Sequence, residues 1–509
     1  MYQDRIIPSQ AGEKPGAKAI IIGSGVGGLA TAVRLVARGY DVTVLEQLDA
    51  PGGRAYVFKQ DGFSFDAGPT IVTVPFLLEE LWNLFGEKMS DHVELLEMAP
   101  YFRMRFHDGV EFNYWGDMDA MMKEVEALNP ADVKGFQRFL EYSEKTYQAG
   151  FVELGDIPFH QFMTMAKATP KLVYLGARVT VYDMIARFIK NERLRTALSF
   201  HPLLVGGNPF TTTAIYNLIG YLESRYGVHY AKGGTGALVQ GLVDLMQRYG
   251  GTLRCNAKVA EILQDESGAA CGVRLDNGEE LKSDIVVSNA DVGHTYKYLM
   301  PKVKRKVWTD RKIDRMRYSM SCFLWYFGTD KKYDDVVHHS ILLGPRYRPL
   351  LKDIFTKHHL ADDFSLYLHR PTASDPSVAP EGCDTFYALV PVPHLDSGTD
   401  WEAEAPKFKA RVCEFLEKTY LPDLSKHVVS EHMITPQDFK DRLLSERGAA
   451  FSFEPTLLQS AWFRAHNVSE EVDRLFFVGA GTHPGAGLPG VVSSAKVADQ
   501  VIPDVTAFT

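Results

Sequence analysis

Residues 19–28 read Ala19-Ile20-Ile21-Ile22-Gly23-Ser24-Gly25-Val26-Gly27-Gly28, an apolar run followed by glycines spaced as G-x-G-x-x-G. The apolar run predicts a short buried strand. From Leu29 to Val36 the apolar residues then recur on one helical face, and Gly39 stands where a helix commonly ends. This stretch therefore predicts a strand, a glycine-rich turn and a helix in direct succession.

A second strand pattern and an acid complete a βαβ unit. The pattern covers Asp41 to Leu45, and Glu46 follows it, 18 residues beyond Gly28. In such a unit the glycines make the turn, admit a pyrophosphate and let helix and strand pack closely, while the acid accepts hydrogen bonds from a ribose. The unit predicts a dinucleotide site. A free carboxylate at Glu46 disfavours the 2′-phosphate of NADP and leaves FAD or NAD.

Two further turns favour FAD over NAD. The first is Pro51-Gly52-Gly53-Arg54, whose glycine pair and arginine can hold more of a diphosphate than an NAD site usually needs. The second is Phe65-Asp66-Ala67-Gly68-Pro69-Thr70, a rigid turn after a short strand pattern. The structural alternatives are a surface ion pair for Arg54 and an ordinary turn at Gly68-Pro69.

Another glycine-rich loop lies near the C-terminus. Residues 476–492 contain five glycines and two prolines between a strand pattern and a helix pattern. Glycine lets backbone N–H groups approach a ligand closely, and a helix N-terminus attracts anionic or electron-rich groups. We expect the two glycine-rich loops to form opposite ends of one cofactor site.

Composition limits the class of protein. The chain has 509 residues, enough for two or three domains, and a net charge of −9, which argues against nucleic acid as a partner. Its five cysteines are scattered and form no CxxC pair, as is typical of the reducing cytosol. No apolar run reaches about 18 residues, so no membrane span is predicted.

The order of patterns along the chain predicts a discontinuous cofactor domain. Residues 116–224 have mainly helical patterns, whereas residues 301–464 carry aromatic-rich strand patterns and a long amphipathic helix pattern. We therefore expect four parts: a flexible leader (1–17), a cofactor domain (18–115 with 225–300 and 465–509), a helical region (116–224) and a substrate domain (301–464).

The motifs resemble those of bacterial phytoene desaturases, flavoproteins of the monoamine-oxidase-like superfamily that act in the carotenoid pathway. The resemblance runs from about Lys18 to the C-terminus, and only Arg474 departs from the family signature, at a local turn. It implies an α/β fold with a Rossmann-type FAD-binding domain (GR2 or monoamine-oxidase-like), an α+β substrate domain and a helical region. It rests on the run to Glu46 and on residues 51–56, 65–70, 203–210, 288–291, 459–464 and 479–494.

The same resemblance implies which residues bind FAD. Thr70 would lie near the flavin, and the backbone of Val259 would meet the adenine. The isoalloxazine and ribityl end would face Gly479, Ala480, Gly481, Gly490 and Val491. The remaining contacts transfer to Gly23, Ser24, Gly25, Gly27, Gly28, Glu46, Gln47, Gly53 and Arg54.

Family membership would also imply a C40 polyene hydrocarbon as substrate, held in a long apolar tunnel. Successive removals of an allylic hydride and a neighbouring proton would convert phytoene to lycopene, with FAD as hydride acceptor and a quinone or oxygen as electron acceptor. Four alternatives stay open: three-step desaturation to neurosporene, a carotene isomerase, a desaturase of C30 or oxygenated carotenoids, and a non-enzymatic module that binds isoprenoid groups.

Two residues are candidates for a catalytic role. Arg178 is a charge within the apolar stretch Leu172 to Ile189, so it can lie near a polyene cation, although the solvent face of a helix is the alternative. His483 lies in the C-terminal glycine-rich loop and can equally serve only to shape it.

The sequence offers no metal site and one candidate membrane contact. The pairs His338-His339 and His358-His359 lack metal-ligand spacing. Residues 301–317 carry many lysines and arginines around Trp308, a pattern typical of helices that lie on anionic lipid. We expect a cytoplasmic protein peripherally associated with the cytoplasmic membrane, with a solvated helix as the alternative for residues 301–317.

Overall fold

A computed structural model describes residues 16–508, so the predicted leader lies outside the described residues except for its last two positions. The strands are β1 (Lys18–Ile22), β2 (Asp41–Leu45), β3 (Val57–Gln60), β4 (Phe63–Asp66), β5 (Val72–Thr73), β6 (Leu95–Glu97), β7 (Phe102–Phe106), β8 (Glu111–Tyr114), β9 (Val228–Ala231), β10 (Thr252–Arg254), β11 (Val259–Gln264), β12 (Ala270–Leu275), β13 (Glu280–Lys282), β14 (Ile285–Ser288), β15 (Ser321–Thr329), β16 (His339–Leu343), β17 (Leu366–His369), β18 (Asp384–Val392), β19 (Val428–Ile434) and β20 (Leu475–Phe477).

The helices surround these strands. They are α1 (Val26–Ala37), α2 (Phe76–Asn83), α3 (Met118–Leu128), α4 (Val133–Tyr147), α5 (Phe162–Tyr174), α6 (Val181–Ile185), α7 (Glu192–Ser199), α8 (Leu218–Tyr226), α9 (Thr235–Arg248), α10 (Val292–Tyr298), α11 (Asp310–Arg315), α12 (Tyr347–Lys352), α13 (Trp401–Thr419), α14 (Leu424–His427), α15 (Pro436–Asp441) and α16 (Leu488–Val501).

The first sheet is parallel and has the strand order β10-β2-β1-β14-β20. Its central strand β1 is almost wholly buried, as its run of isoleucines predicts. Helix α1 crosses from β1 to β2, and Gly39 follows it with a positive φ of 86°, as a C-terminal glycine cap requires. The predicted βαβ unit is therefore confirmed.

The carboxyl ends of these parallel strands bring distant chain segments to one edge of the sheet. Gly23 follows β1, Glu46 follows β2, Asn289 follows β14, and Gly479 comes two residues after β20. Helices α1, α9 and α16 pack together over one face of the sheet, around a core that includes Leu29 and Ala495. Ligands of open α/β sheets bind at this edge.

The second sheet is mixed, with seven strands in the order β19-β15-β18-β17-β16-β7-β8. The aromatic-rich strands β15 and β18 form its antiparallel centre, and α13 covers one of its faces through Trp401 and Phe408. Strands β7 and β8 also belong here, with β7 parallel to β16. Residues 102–114 thus pair with the second sheet, although the sequence assigned them to the cofactor domain, because no local pattern reveals a pairing with residues more than 200 positions away.

Smaller elements join the two sheets. Strands β5, β9 and β6 form a three-stranded sheet, β3 and β4 a hairpin, and β11, β12 and β13 a meander whose last turn is Asp276-Asn277-Gly278. Helices α3 to α7 occupy residues 118–199, where helical patterns predominate. Within residues 16–508, none of the helices combines the length and apolar character that crossing a membrane requires.

Candidate functional site

A cavity of about 590 Å³ lies between the glycine-rich edge of the first sheet and one face of the second. Both glycine-rich loops line it, which places them at one site as the sequence predicts. Most residues predicted to bind FAD are in its lining: Gly23, Gly25, Gly27, Glu46, Gln47, Gly53, Arg54, Thr70, Val259, Gly479, Ala480, Gly490 and Val491.

Three predicted FAD ligands lie behind the lining rather than in it. Ser24 is buried and hydrogen-bonds to Glu46. A Cβ atom on Gly28 would lie 2.1 Å from the carbonyl oxygen of Gly23, so this glycine permits the close packing of helix and strand. A Cβ atom on Gly481 would lie 2.7 Å from the side chain of Val292, so Gly481 also serves packing.

Asn289 joins the two glycine-rich loops. Its side-chain amide donates to the carbonyl oxygen of Gly23 at 3.4 Å. Cβ atoms built on Gly25, Gly27 and Gly479 would all lie within 3 Å of the same amide group. Glycine at these three positions leaves room for the side chain of Asn289 and lets the two loop backbones approach one another. The G-x-G-x-x-G motif alone does not reveal this role.

Glu46 is held rigidly at the end of β2. Its Oε2 accepts hydrogen bonds from the backbone N–H and the hydroxyl of Ser24 at 2.9 and 2.7 Å, and its Oε1 accepts from the N–H of Leu48 at 2.9 Å. A carboxylate has about four lone-pair positions, so acceptor capacity remains for a ribose hydroxyl.

Arg54 points its guanidinium into the same site. Its Nε donates to the carbonyl oxygen of Ala450 at 2.6 Å, and one terminal nitrogen donates to the hydroxyl of Ser445 at 2.9 Å. Burial lowers the pKa of Arg54, and the nearby Asp291 carboxyl opposes that shift. Among residues 16–508 the surface ion pair considered as an alternative is not formed, since the hydrogen-bond partners of Arg54 there are neutral groups.

Two helix N-termini open onto the cavity. Helix α1 begins after Gly25 and α16 after Gly487, and neither has a side-chain cap from the described residues or an acid in its first turn. Free N–H groups and the positive end of the helix dipole suit a diphosphate and an electron-rich ring. Together with Arg54 and the carboxylate of Glu46, they fit FAD.

Arg464 holds the C-terminal loop in shape. It is 1% exposed, and its guanidinium donates to the backbone carbonyls of Thr482 and Ala480 at 2.9 and 2.6 Å. It also reaches the carbonyls of Gln459 and Phe453 at 3.3 Å. Sequence reasoning noted the stretch that contains Arg464 without recognising this role, because its partners are backbone groups.

The cavity becomes apolar away from the glycine-rich loops. Its lining here comes from the helical region and the second sheet, including Phe102, Phe151, Phe159, Met165, Leu172, Phe200, Leu203, Leu343 and Leu389. A cluster of hydroxyls interrupts it where Thr70 meets the phenols of Tyr387 and Tyr367 at 2.8 and 3.2 Å. Shape and apolar burial must therefore orient a ligand at this end.

One carboxyl group lines the cavity close to its apolar wall. Glu223 is fully buried; its Oε2 lies 3.0 Å from Nε2 of His201, and its Oε1 has no partner among residues 16–508. Nδ1 of His201 lies 3.1 Å from the carbonyl oxygen of Leu198, which only accepts, so Nδ1 carries a hydrogen. The other ring nitrogen, Nε2, faces Oε2 and fixes the orientation of the carboxyl group.

The structure separates the two residues that sequence reasoning singled out for catalysis. Arg178 is exposed and is absent from the cavity lining within the described chain, which favours the alternative of a solvent-facing residue. His483 is buried, lines the cavity and packs against Phe159 with ring centroids 4.8 Å apart. Burial, with smaller effects of Arg464 and His466, lowers the pKa of His483 to about 3, so it stays neutral.

Comparison with known proteins shows the class to which this chain belongs. The family model for flavin-containing amine oxidoreductases matches residues 26–502. A solved structure of a putrescine oxidase variant superposes with a TM-score of 0.65 at 15% identity, covering 97% of this chain and all of that one, which shows a shared fold. These matches define the class: an α/β flavoprotein of the monoamine-oxidase-like type, as predicted.

Two relatives narrow the family further. The chain is 47% identical over 492 residues to a neurosporene-forming phytoene desaturase of Rhodobacter capsulatus, covering 96% of this chain and 94% of the relative. It is 47% identical over 477 residues to a lycopene-forming phytoene desaturase of Pantoea ananas, covering 94% and 97%. The chain belongs to the family of bacterial phytoene desaturases within the flavin-containing amine oxidoreductases, and FAD is confirmed as its cofactor.

Proposed function

We propose that the protein desaturates phytoene to lycopene by successive removals of an allylic hydride and a neighbouring proton. The observation that carries the proposal is one cavity whose lining passes from two glycine-rich loops to a wall of aromatic and aliphatic side chains. The relatives include lycopene-forming and neurosporene-forming enzymes at equal identity, so three-step desaturation to neurosporene is the alternative product.

The protein's part in this chemistry is to bind, orient and exclude water. FAD, when bound, supplies the two-electron oxidant that accepts the hydride. We assign the diphosphate to the N-terminus of α1 with Arg54, the ribose to Glu46, and the flavin end to the N-terminus of α16 and Thr70. Apolar residues at the other end of the cavity would hold a hydrocarbon by shape and keep water from a developing cation.

Glu223 is our candidate for the proton acceptor. It is a carboxyl group in the apolar half of the lining, and its unpartnered Oε1 has capacity for a proton. His201 holds the opposite oxygen and so fixes the orientation of the carboxyl group. Loss of the substrate proton to Oε1 would complete each double bond after hydride removal.

The exposed apolar side chains next to the cavity suit a lipid surface. Phe162 and Met163 at the start of α5 are each 61% exposed, and Leu458 is 69% exposed. The ring of Phe162 contacts that of Trp462, while Met165, Leu172 and Leu457 nearby line the cavity. We propose that this patch, Phe162, Met163 and Leu458, docks on the membrane, from which a water-insoluble substrate would enter.

The basic segment 301–317 is a weaker candidate for membrane binding. Trp308 is 1% exposed and stacks on Tyr296, so it does not face lipid. Only Asp310–Arg315 is helical, and Lys302 and Arg305 pair with Glu261 and Asp310. A cytoplasmic, peripherally bound protein with a quinone or oxygen as electron acceptor is our proposal for the cellular setting.

The test is conversion of phytoene in lipid vesicles by the FAD-loaded enzyme, with and without a quinone under anaerobic conditions. We expect a red-shifted polyene spectrum, with chromatography separating lycopene from neurosporene. Isomerised but not oxidised product, or no product with protein that retains its flavin, would contradict the proposal. Product that forms only with oxygen would exclude the quinone.

A further inference from the structure

Three histidines form a buried cluster outside the cavity lining. His339 and His369 are direct cross-strand partners on β16 and β17, and His338 precedes β16. They are 5%, 0% and 1% exposed for His338, His339 and His369. One ring nitrogen from each lies within 4.8 Å of the other two. Chain spacing concealed the cluster because His369 comes from the neighbouring strand.

The cluster leaves polar atoms without partners in the protein interior. Nε2 of His339 and the hydroxyl of Tyr230 have no hydrogen-bond partner within the described part of the chain. Tyr230 stands beside the cluster, with its ring centroid 4.6 Å from that of His338. An unpaired buried polar group costs about 1–3 kcal/mol, so these two together point to an occupant that the protein chain does not supply.

The geometry matches three ligands around one ion. The ring centroids are 4.4, 4.8 and 5.4 Å apart. Three imidazoles on a tetrahedral ion, with bonds of about 2.0–2.1 Å, would have ring centroids roughly 5 Å apart and ligand nitrogens roughly 3.3 Å apart. The Nε2 atoms of His338 and His369 are 3.0 Å apart. To complete the site, only the ring of His339 would have to move closer to the other two.

Two of the rings are already oriented by outer hydrogen bonds. Nδ1 of His338 lies 2.9 Å from the hydroxyl of Ser374, and Nδ1 of His339 lies 2.6 Å from the phenol of Tyr367. Metal-binding histidines use their second nitrogen in this way, which fixes the ring and directs the other nitrogen at the metal.

We propose that His338, His339 and His369 bind one divalent transition-metal cation. Zn²⁺ is the best match, because it accepts three neutral imidazoles and leaves a fourth position for water, here beside the hydroxyl of Tyr230. The nearby Arg370 guanidinium is neutralised by Asp384 and Asp334, at 2.9 and 3.3 Å.

Protonation of the cluster is consistent with metal binding. Burial lowers the pKa of all three histidines well below the usual value, and neighbouring positive charge adds to this effect. They are therefore neutral at physiological pH, as metal ligands must be.

The ion would act as a structural link rather than as a redox centre. Tyr230 belongs to β9 of the three-stranded sheet, whereas His339 and His369 belong to the second sheet. Tyr367, which holds His339, lines the cavity and contacts Thr70. A bound cation would therefore stabilise the cavity wall on the side that faces away from the ligand. This inference does not depend on whether the protein acts on phytoene.

The experiment uses the FAD-loaded enzyme after treatment with dipicolinate and dialysis. Zn²⁺ or Co²⁺ is added, and bound metal is measured by mass spectrometry after gel filtration, with flavin absorbance as the measure of protein integrity. We expect one equivalent of zinc, a higher melting temperature with Zn²⁺, and Co²⁺ absorption bands on the long-wavelength side of the flavin bands.

Variants decide whether the metal occupies this cluster. His339→Gln and His369→Gln should weaken binding at least tenfold, whereas the partly exposed His427→Gln should bind as the wild type does. No stoichiometric metal in the wild type, or full binding by both cluster variants, would overturn the proposal. If the cluster variants lose flavin, the wild-type protein alone provides the test. Absence of the Co²⁺ absorption bands after Co²⁺ is added to the wild type would then contradict the proposal.

Discussion

Gly27 and Gly479, one from each glycine-rich loop, approach so closely that a Cβ atom on Gly27 would lie 3.2 Å from the Cα of Gly479. The same atom would lie 2.8 Å from Oδ1 of Asn289. Two segments more than 450 positions apart in the chain thus share one contact at the carboxyl edge of the first sheet. The geometry of the cofactor site depends on this contact as much as on either loop alone.

The first prediction concerns that contact. Gly27→Ala should lower the melting temperature and weaken FAD binding at least tenfold, because overpacking costs about 1–3 kcal/mol and would push the loops apart. Flavin titration of the apoprotein and thermal unfolding measure both effects. Gly220→Ala is the matched control: a Cβ atom there has its nearest neighbour at 3.5 Å. Equal FAD affinity for Gly27→Ala and wild type would show that the loops tolerate separation.

The second prediction concerns Arg464. Arg464→Lys keeps the charge but cannot reach four backbone carbonyls from a planar group. We expect the free energy of unfolding to fall by about 2–3 kcal/mol and flavin to bind more weakly. Urea unfolding measures the first effect, and the fluorescence of dissociated flavin measures the second. The partly exposed Arg447→Lys serves as control. Unchanged flavin release from Arg464→Lys would mean that the loop keeps its shape without the guanidinium.

The sequence predicts those parts of the site whose residues are close together in the chain, and misses those that depend on tertiary contacts. The run from Ala19 to Glu46 carries its own turn, cap and acid, so both its structure and its ligand type are predicted correctly. Asn289, Arg464 and Glu223 carry no comparable local signal, because their contacts form only when separate elements pack together. The partner of Asn289 is 266 positions away, whereas those of Arg464 and Glu223 are at most 22 positions away but lie outside any regular repeat. Arg178 shows the converse: its apolar neighbours suggest burial, yet its own side chain faces solvent.

The third prediction concerns proton removal. Glu223→Gln keeps the shape of the side chain but removes the acceptor, so kcat should fall by about a hundredfold or more with KM and flavin content nearly unchanged. Steady-state assays with phytoene vesicles measure this. Glu144→Gln, at an exposed position on α4, should leave the rate as it is. Wild-type kcat in Glu223→Gln would remove Glu223 from the mechanism.

The fourth prediction separates the two candidate membrane contacts. The triple variant Phe162→Ser/Met163→Ser/Leu458→Ser should reduce co-sedimentation with vesicles at least tenfold, since each apolar side chain contributes on the order of 1.5 kcal/mol when buried in lipid. Tyr298→Ser/Val429→Ser removes exposed apolar groups elsewhere and should bind normally.

Charge reversal tests the other candidate. The variant Lys302→Glu/Lys304→Glu/Lys306→Glu/Arg311→Glu should leave binding to anionic vesicles largely intact if the apolar patch dominates. Loss of binding to anionic vesicles on charge reversal, with normal binding by the patch variant, would assign docking to the basic segment instead.

The last prediction concerns Asp66, whose carboxyl lies buried at the end of β4. Its Oδ1 accepts a hydrogen bond from the N–H of Thr235 at 2.8 Å. Burial raises the pKa of Asp66 to about 6, and Asp375 adds to this, although backbone hydrogen bonds oppose it. In the unfolded chain the pKa is about 3.9. Between pH 4 and 6 the folded state therefore holds a proton that the unfolded state has lost.

The contribution of Asp66 to the free energy of unfolding is therefore fully present below about pH 4. It is lost as the pH rises through 6, and the loss amounts to about 3 kcal/mol. Asp66→Asn cannot ionise and should be more stable than wild type at pH 8, with the advantage disappearing near pH 4. Urea unfolding of both proteins across this pH range measures the difference between their free energies of unfolding. The contributions of all other titrating groups cancel in this difference because both proteins contain them. A difference between Asp66→Asn and wild type that does not vary with pH would mean that Asp66 ionises normally in the folded protein.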